Sequence, residues 1–263
     1  MIELSLGDIA EAVHGELHGA SGCEAAVVTG SVETDSRLVT SGSLFFARPG
    51  EVTDGHLFVE SALVNGAVAA VVDHVVEASL PQIVVTDVTA ALGDLAKYVL
   101  ARIREKSELR VIGITGSNGK TTTKNMLREI LSKAGETIAP IESYNNEVGA
   151  PISILKTDFE TKFLVVEMGA GGPGSIAYLA DIAKPDLGVL LKVGLAHVGE
   201  FGGIEATAKI KGELAAALAT DGLFIGNADD GYIRDMPTRA KQVWFGTAPD
   251  AGYRASDLQL SIA

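Results

Sequence analysis

The chain changes rhythm near its middle. Through residue 105, short apolar runs and amphipathic stretches alternate irregularly. Ser5-Leu-Gly-Asp8 has the form of a capping box, a serine with an acid three residues on, and predicts a helix running to Val13. Runs at 27–32, 44–47, 68–72 and 83–86 are short and rich in β-branched residues, which predicts strands. Residues 56–65 read as a helix ended by Gly66. The stretch 87–105 sets Leu92, Leu95, Ala96, Val99 and Ile103 on one face, the spacing of a long helix.

From residue 111 the pattern is regular. Strand-like runs at 111–115, 137–141, 163–167, 187–193 and 223–226 alternate with helical stretches at 120–134, 148–155, 173–182 and 204–219. This alternation predicts an α/β fold with a mostly parallel sheet covered by helices on both faces. The charged segment 102–110 is the best candidate boundary. It separates a small N-terminal α/β domain, 1–106, from a second domain, 107–263. Residues 242–263 look like strands beginning rather than a domain finishing.

Composition narrows the classes. The 263 residues are 47% hydrophobic and 21% charged, the balance of a globular protein. No apolar run approaches the roughly 20 residues of a membrane helix. The Met-Ile-Glu-Leu-Ser start lacks the basic and apolar parts of an export signal. A single cysteine, Cys23, excludes an intramolecular disulfide and fits a reducing compartment, so a cytoplasmic protein without membrane insertion is expected. With 21 basic and 34 acidic residues the net charge is −13, which argues against general nucleic-acid binding. Any bound phosphate must then be held by local geometry.

Such geometry is present in Val111-Ile-Gly-Ile-Thr-Gly-Ser-Asn-Gly-Lys-Thr-Thr-Thr123, a strand, a glycine-rich loop and a helix start. Loop amides and a helix N-terminus suit phosphate oxygens. Lys120 would reach the β- and γ-phosphates and the Thr121 hydroxyl would meet Mg²⁺. The strict Gly-x4-Gly-Lys spacing fails, because Ile114 stands five residues before Gly119; Gly113 and Gly116 are expected to supply the flexibility instead. Glu167 follows four apolar residues and falls at a strand's C-terminal end, where a metal would lie; the plain alternative is a solvent-facing strand end. His197 follows the 187–193 run and is either a packed side chain or a ligand at the same edge. No Asn-Lys-x-Asp guanine signature occurs.

Together these residues resemble a known family. Thr115-Gly-Ser-Asn-Gly-Lys-Thr-Thr-Thr123, Asn145-Asn-Glu147, Glu167-Met-Gly-Ala170, Ala196-His197 and Lys211-Gly-Glu213 stand in the order seen in Mur ligases. These are the ATP-dependent amide-forming enzymes of bacterial peptidoglycan precursor synthesis. Asp35-Ser-Arg37, Gly42-Ser-Leu-Phe-Phe46 and Asp54-Gly-His56 resemble that family's UDP-sugar-binding domain. Asn145-Asn-Glu-Val-Gly-Ala-Pro151 and Asn227-Ala-Asp-Asp230 look most like the member joining D-alanyl-D-alanine to UDP-N-acetylmuramoyl-tripeptide.

The resemblance implies site residues. ATP would lie on Thr115, Gly116, Ser117, Asn118, Gly119, Lys120, Thr121 and Thr122, with Mg²⁺ on Thr121, Glu167 and His197. Asn146 would position phosphate or the acyl group. Lys211 would carry a carbamate and become a metal ligand; an exposed lysine paired with a nearby glutamate is the alternative, and Lys209 is a competing position. Ser36, Arg37 and Phe46 would hold the UDP-substrate, with Phe46 flanking uracil; Arg48, Asp54 and His56 are either further contacts or plain turn and surface residues around Pro49-Gly50. A monomer is expected. The family has three domains; the resemblance covers the first and part of the second, so these 263 residues alone are expected to be inactive. Lys192 and Gly171 depart from the family's pattern, and a non-catalytic binding module or a ligase adding an earlier peptide residue remains as an alternative.

Overall fold

The computed structural model describes residues 1–50, 53–140, 143–194 and 202–257. The chain forms two units, Met1–Glu108 with Glu147–Thr161, and Leu109–Asn146 with Lys162–Ala263. The excursion at 147–161 is a finding that a linear division at residue 106 does not contain.

In the first unit, β1 (Leu4–Ser5) leads into α1 (Leu6–Ala12). The capping box forms as read: the Asp8 amide donates to Ser5 Oγ and the Ser5 amide to Asp8 Oδ2. Then follow β2 (Glu16–His18), β3 (Val27–Val28), β4 (Val32–Glu33), β5 (Leu44–Phe46), α2 (Val59–Val64), β6 (Ala69–Val72), β7 (Gln82–Val84) and α3 (Val88–Arg104). The sheet order is β2-β7-β6-β5-β4, parallel except for β2 against β7. The single strand expected at 27–32 is two. Its first half pairs with β1 and its second joins the larger sheet, so the chain must turn between them. The expected helix at 56–65 begins as a 3₁₀ turn, Gly55–Phe58, and is α-helical only from Val59. α3 buries Leu92, Leu95, Ala96, Val99 and Ile103, the stripe its periodicity marks. Full burial of each large member is worth roughly 1.5–3 kcal/mol.

The second unit is a seven-stranded sheet in which every pairing is parallel. β8 (Arg110–Thr115) is followed by α4 (Lys120–Leu131) and β9 (Thr137–Ile138). The chain next supplies α5 (Gly149–Ile154), which packs on α3 in the first unit. It returns as β10 (Phe163–Glu167), α6 (Ser175–Ala183), β11 (Leu187–Leu190), α7 (Ile204–Ala217), β12 (Leu223–Asn227), α8 (Gly231–Arg234), β13 (Lys241–Gly246) and β14 (Tyr253–Arg254). The order β14-β13-β12-β11-β8-β10-β9 puts β8 between the two directions of growth. Its C-terminal end is therefore the topological switch point, where open α/β sheets place ligands. Gly113 lies inside β8, in register with Val166 and Gly188, and is not part of the flexible loop.

Among the described residues, no helix is long and apolar enough to cross a membrane.

Candidate nucleotide and substrate sites

The phosphate loop is pinned at both ends. Thr115, fully buried, donates its hydroxyl to the Met168 carbonyl at 2.9 Å. The Ser117 amide donates to the Lys192 carbonyl at 2.7 Å, and the Gly194 amide to Ser117 Oγ at 2.9 Å. Gly119 caps α4 with φ +84°, a left-handed conformation that other residues adopt only with strain. Lys120 Nζ donates to the Gly116 carbonyl at 2.9 Å, so the ammonium closes over its own loop. Asn118, Gly119 and Thr122 are exposed around it.

Glu167 ends β10 beside this loop, in register with Ile114. It is buried, which overturns the solvent-facing alternative. Its Oε2 accepts from Thr121 Oγ1 at 3.0 Å and lies 3.6 Å from Lys124 Nζ; its Oε1 accepts from Asn145 Nδ2 at 2.9 Å. Thr121 Oγ1 also lies 3.2 Å from Ser143 Oγ. Asn145 reaches the carboxylate because Gly169 has no side chain: a Cβ there would stand 2.9 Å from the Asn145 carbonyl oxygen. Asn146 is exposed. Asn145 and Lys124 thus join the cluster, although the motif reading gave Asn145 no role of its own and did not single out Lys124. Polar residues one position from a motif asparagine, and one helical turn past Lys120, were the available signals. His197 lies outside the described residues.

Lys211 is buried on α7, beside Ile210, Leu214 and Thr207 in that helix's buried set. Burial, and secondarily the charge of Lys120, lower its pKa to about 8. The exposed-lysine alternative is therefore corrected. Glu213, the nearby glutamate, instead accepts from the amides of Gly174 and Ala177 at the start of α6. Lys209 is exposed and lines a separate groove with Tyr232 and Met236. The departure at Lys192 is explained locally: its Nζ lies 3.4 Å from Asp230 Oδ2, which also accepts from the Val193 amide. A side chain at Gly171 would meet only Ser175 Cβ, at 4.0 Å, so space does not require glycine there.

Glu167 and Thr121 of this second unit set a buried carboxylate beside a half-buried hydroxyl, an oxygen donor pair. That suits a hard cation such as Mg²⁺ better than a soft one.

The first unit carries a cleft of about 860 Å³ lined by residues that include Ser36, Arg37, Arg48, Thr53, Phe58 and Asn65. The Asp35 carboxylate caps the short turn Ser36–Leu38 and grips the Arg37 guanidinium through Nε at 2.9 Å and Nη2 at 2.5 Å. Those hydrogen bonds lower the Asp35 pKa to about 2. Asn65 Nδ2 holds the Ser36 carbonyl at 2.8 Å. Two expected contacts, Phe46 and His56, are corrected. Phe46 is fully buried in β5, a strand paired on both sides, and cannot flank a ligand; Phe58, 40% exposed, is the aromatic residue on the cleft. His56 is buried with both ring nitrogens engaged: Nδ1 lies 2.6 Å from Asp54 Oδ1, and Nε2 accepts from the Asp73 amide at 3.1 Å. Asp54 engages this ring and the His56 amide through Oδ1, and its side chain stays half exposed.

Comparison with known proteins agrees with the geometry. Residues 114–261, more than half of the chain, match the Mur ligase middle domain, and residues 29–99 match the Mur ligase family catalytic domain. The UDP-N-acetylmuramoyl-tripeptide–D-alanyl-D-alanine ligase of Mycobacterium leprae is 43% identical, over 90% of this chain and 50% of that protein. The Escherichia coli protein of the same name is 36% identical, over 88% and 49%. The chain spans about half the length of these curated relatives. A crystal structure of MurF from Acinetobacter baumannii superposes with a TM-score of 0.84 at 33% identity, covering 93% of this chain and 53% of that one. The Thermotoga maritima MurF ligase, solved in complex with ADP, gives 0.74 at 34% identity, covering 84% and 51%. A pinned glycine loop at the switch point, a buried glutamate beside it and these matches lead to one conclusion: the chain belongs to the Mur ligase family.

Proposed function

We propose that the whole protein is an ATP-dependent ligase of peptidoglycan precursor synthesis that joins D-alanyl-D-alanine to UDP-N-acetylmuramoyl-tripeptide. The observation that carries this reading is the buried Glu167 held between Thr121 and Asn145 beside the Gly-Lys-Thr loop. Relatives of 36–43% identity that bear this enzyme's name support the choice of substrates. Residues 1–106 would take the UDP-substrate and residues 107–263 the nucleotide. The protein would act as a cytoplasmic monomer.

In this reading the substrate carboxylate attacks the γ-phosphorus of ATP, releasing ADP and leaving an acyl phosphate. The dipeptide amine then attacks the acyl carbon, an amide forms and phosphate leaves. Mg²⁺, when bound, supplies neutralisation of the crowded phosphate charge. Lys120 exchanges the Gly116 carbonyl for phosphate oxygens. Thr121 and Glu167 offer oxygen ligands to the metal. Lys211, held partly neutral near pH 8, can bond the carbon of CO₂ through its nitrogen lone pair and lose a proton, turning a cation into a carboxylate-like ligand. His197 would serve a second metal and Asn146 the transferring group. In the first unit, Ser36 and the outward guanidinium of Arg37 would meet the diphosphate.

Separate calorimetric titrations with Mg-ATP and with UDP-N-acetylmuramoyl-tripeptide test the reading. Both should bind. Lys120→Ala should weaken Mg-ATP on the order of 10-fold or more and leave the UDP-substrate unchanged, and Arg37→Ala should do the reverse. Binding of the UDP-substrate without any binding of Mg-ATP would identify a non-catalytic module instead.

A further inference from the structure

Lys124 is the one buried residue of α4, a helix that leaves Met126 and Ile130 about 60% exposed. A helix that buries a lysine while exposing apolar residues runs against the ordinary partition of side chains. The ammonium is fully enclosed, and taking it out of water is unfavourable unless something charged receives it. What receives it is Glu167, itself buried, with Nζ 3.6 Å from Oε2. Thr121 stands three residues before Lys124, so both fall on one helix face, and both address the same carboxylate oxygen. Asn145 holds the other oxygen. Glu167 is thus fixed by partners on both oxygens, and one of those partners is a full positive charge.

We propose that Lys124 is a positioning residue that acts as the resident counter-charge of Glu167. It keeps the buried carboxylate in place while no metal is bound, and it weakens the hold on the divalent ion that the carboxylate takes. The inference rests on the reading that Glu167 faces Mg²⁺. A divalent ion taking Oε2 has a buried ammonium 3.6 Å from its own ligand, and the two cations oppose each other across a medium that screens poorly. Lys124 therefore stabilises the metal-free state and tunes the metal-bound one.

This predicts opposite effects of one substitution under two conditions. Thermal midpoints of the 263-residue chain are measured with ADP present, first in EDTA and then over a MgCl₂ series. Lys124→Met should lower the midpoint in EDTA, because it removes the charged partner of the buried Glu167 and leaves Thr121 and Asn145. It should also enlarge the upward shift that Mg²⁺ produces, and move the half-effect to a Mg²⁺ concentration on the order of 10-fold lower. Lys124→Arg, which keeps the charge, should hold the half-effect near that of the parent. An equal loss of midpoint with and without Mg²⁺, or a half-effect unchanged or raised, overturns the proposal and leaves Lys124 a packing residue. If the parent itself shows no Mg²⁺-dependent shift, the reading of Glu167 as a metal ligand fails first and the inference falls with it. Should Lys124→Met not fold in EDTA, the pair Lys124→Met with Glu167→Gln removes both charges. It should fold and no longer respond to Mg²⁺; failure of that pair to restore folding overturns the charge pairing.

Discussion

Asp35 and Arg37 sit two residues apart, and the turn between them lets one carboxylate take both the Arg37 amide and its guanidinium. The folded pKa of Asp35, about 2, lies below its ordinary 3.8. The contribution of this pair to stability is therefore present above pH 3.8 and disappears as pH falls through about 2. Arg37→Ala should raise the Asp35 pKa toward 3.8, read from the carboxyl carbon chemical shift in an NMR titration; a value that stayed near 2 would assign the effect elsewhere. Single residues also mark the limit of what could be read from the chain. Glu167 was legible because an apolar strand that ends in a carboxylate puts it at the sheet's edge. Its bracket was not, since Asn145 reaches it through a loop return that no local spacing encodes. Phe46 stands in the motif, and only the fold shows that its side chain is enclosed while Phe58 lines the cleft. The exposed alternative for Lys211 stayed open because periodicity does not say which face of α7 is covered.

At the scale of elements the agreement was better, and the reasons are local. α3 starts at Asp87, whose carboxylate accepts from the amides of Thr89 and Ala90, and it runs on a stripe of apolar residues at helical spacing. Asp87→Ala should cost about 1 kcal/mol, seen as a lower urea midpoint with an unchanged slope, and Asp87→Asn should recover most of it. β10 spans the residues expected of it, since five residues between turn-formers leave little freedom. The misreadings fall where a local signal has two outlets. Val27 to Val32 is strand-forming throughout, yet its halves serve different sheets. The helix expected from Pro173 starts only at Ser175, because Gly174 adopts φ +85° and caps it.

For the whole molecule, the decisive feature is that 147–161 belongs with residues 1–108. α5 buries Ala150, Ile154 and the adjoining Leu155 and packs on α3. A fragment ending at Glu108 should therefore expose part of α3, and circular dichroism should show a lower urea midpoint for it than for the same unit in the whole chain. Adding residues 147–161 as a separate peptide should raise that midpoint. Nothing in the local pattern of 148–155 distinguishes a helix of one unit from a helix of the other, so this allegiance was not legible in advance. It also bears on synthesis. A ribosome releases β8, the phosphate loop and α4 before it releases the last piece of the first unit. The first unit cannot finish its packing during translation until Thr161 has emerged, and the sheet of the second unit still lacks β10 at that moment. The second unit therefore begins to emerge before the first is complete, and the first is complete before the second.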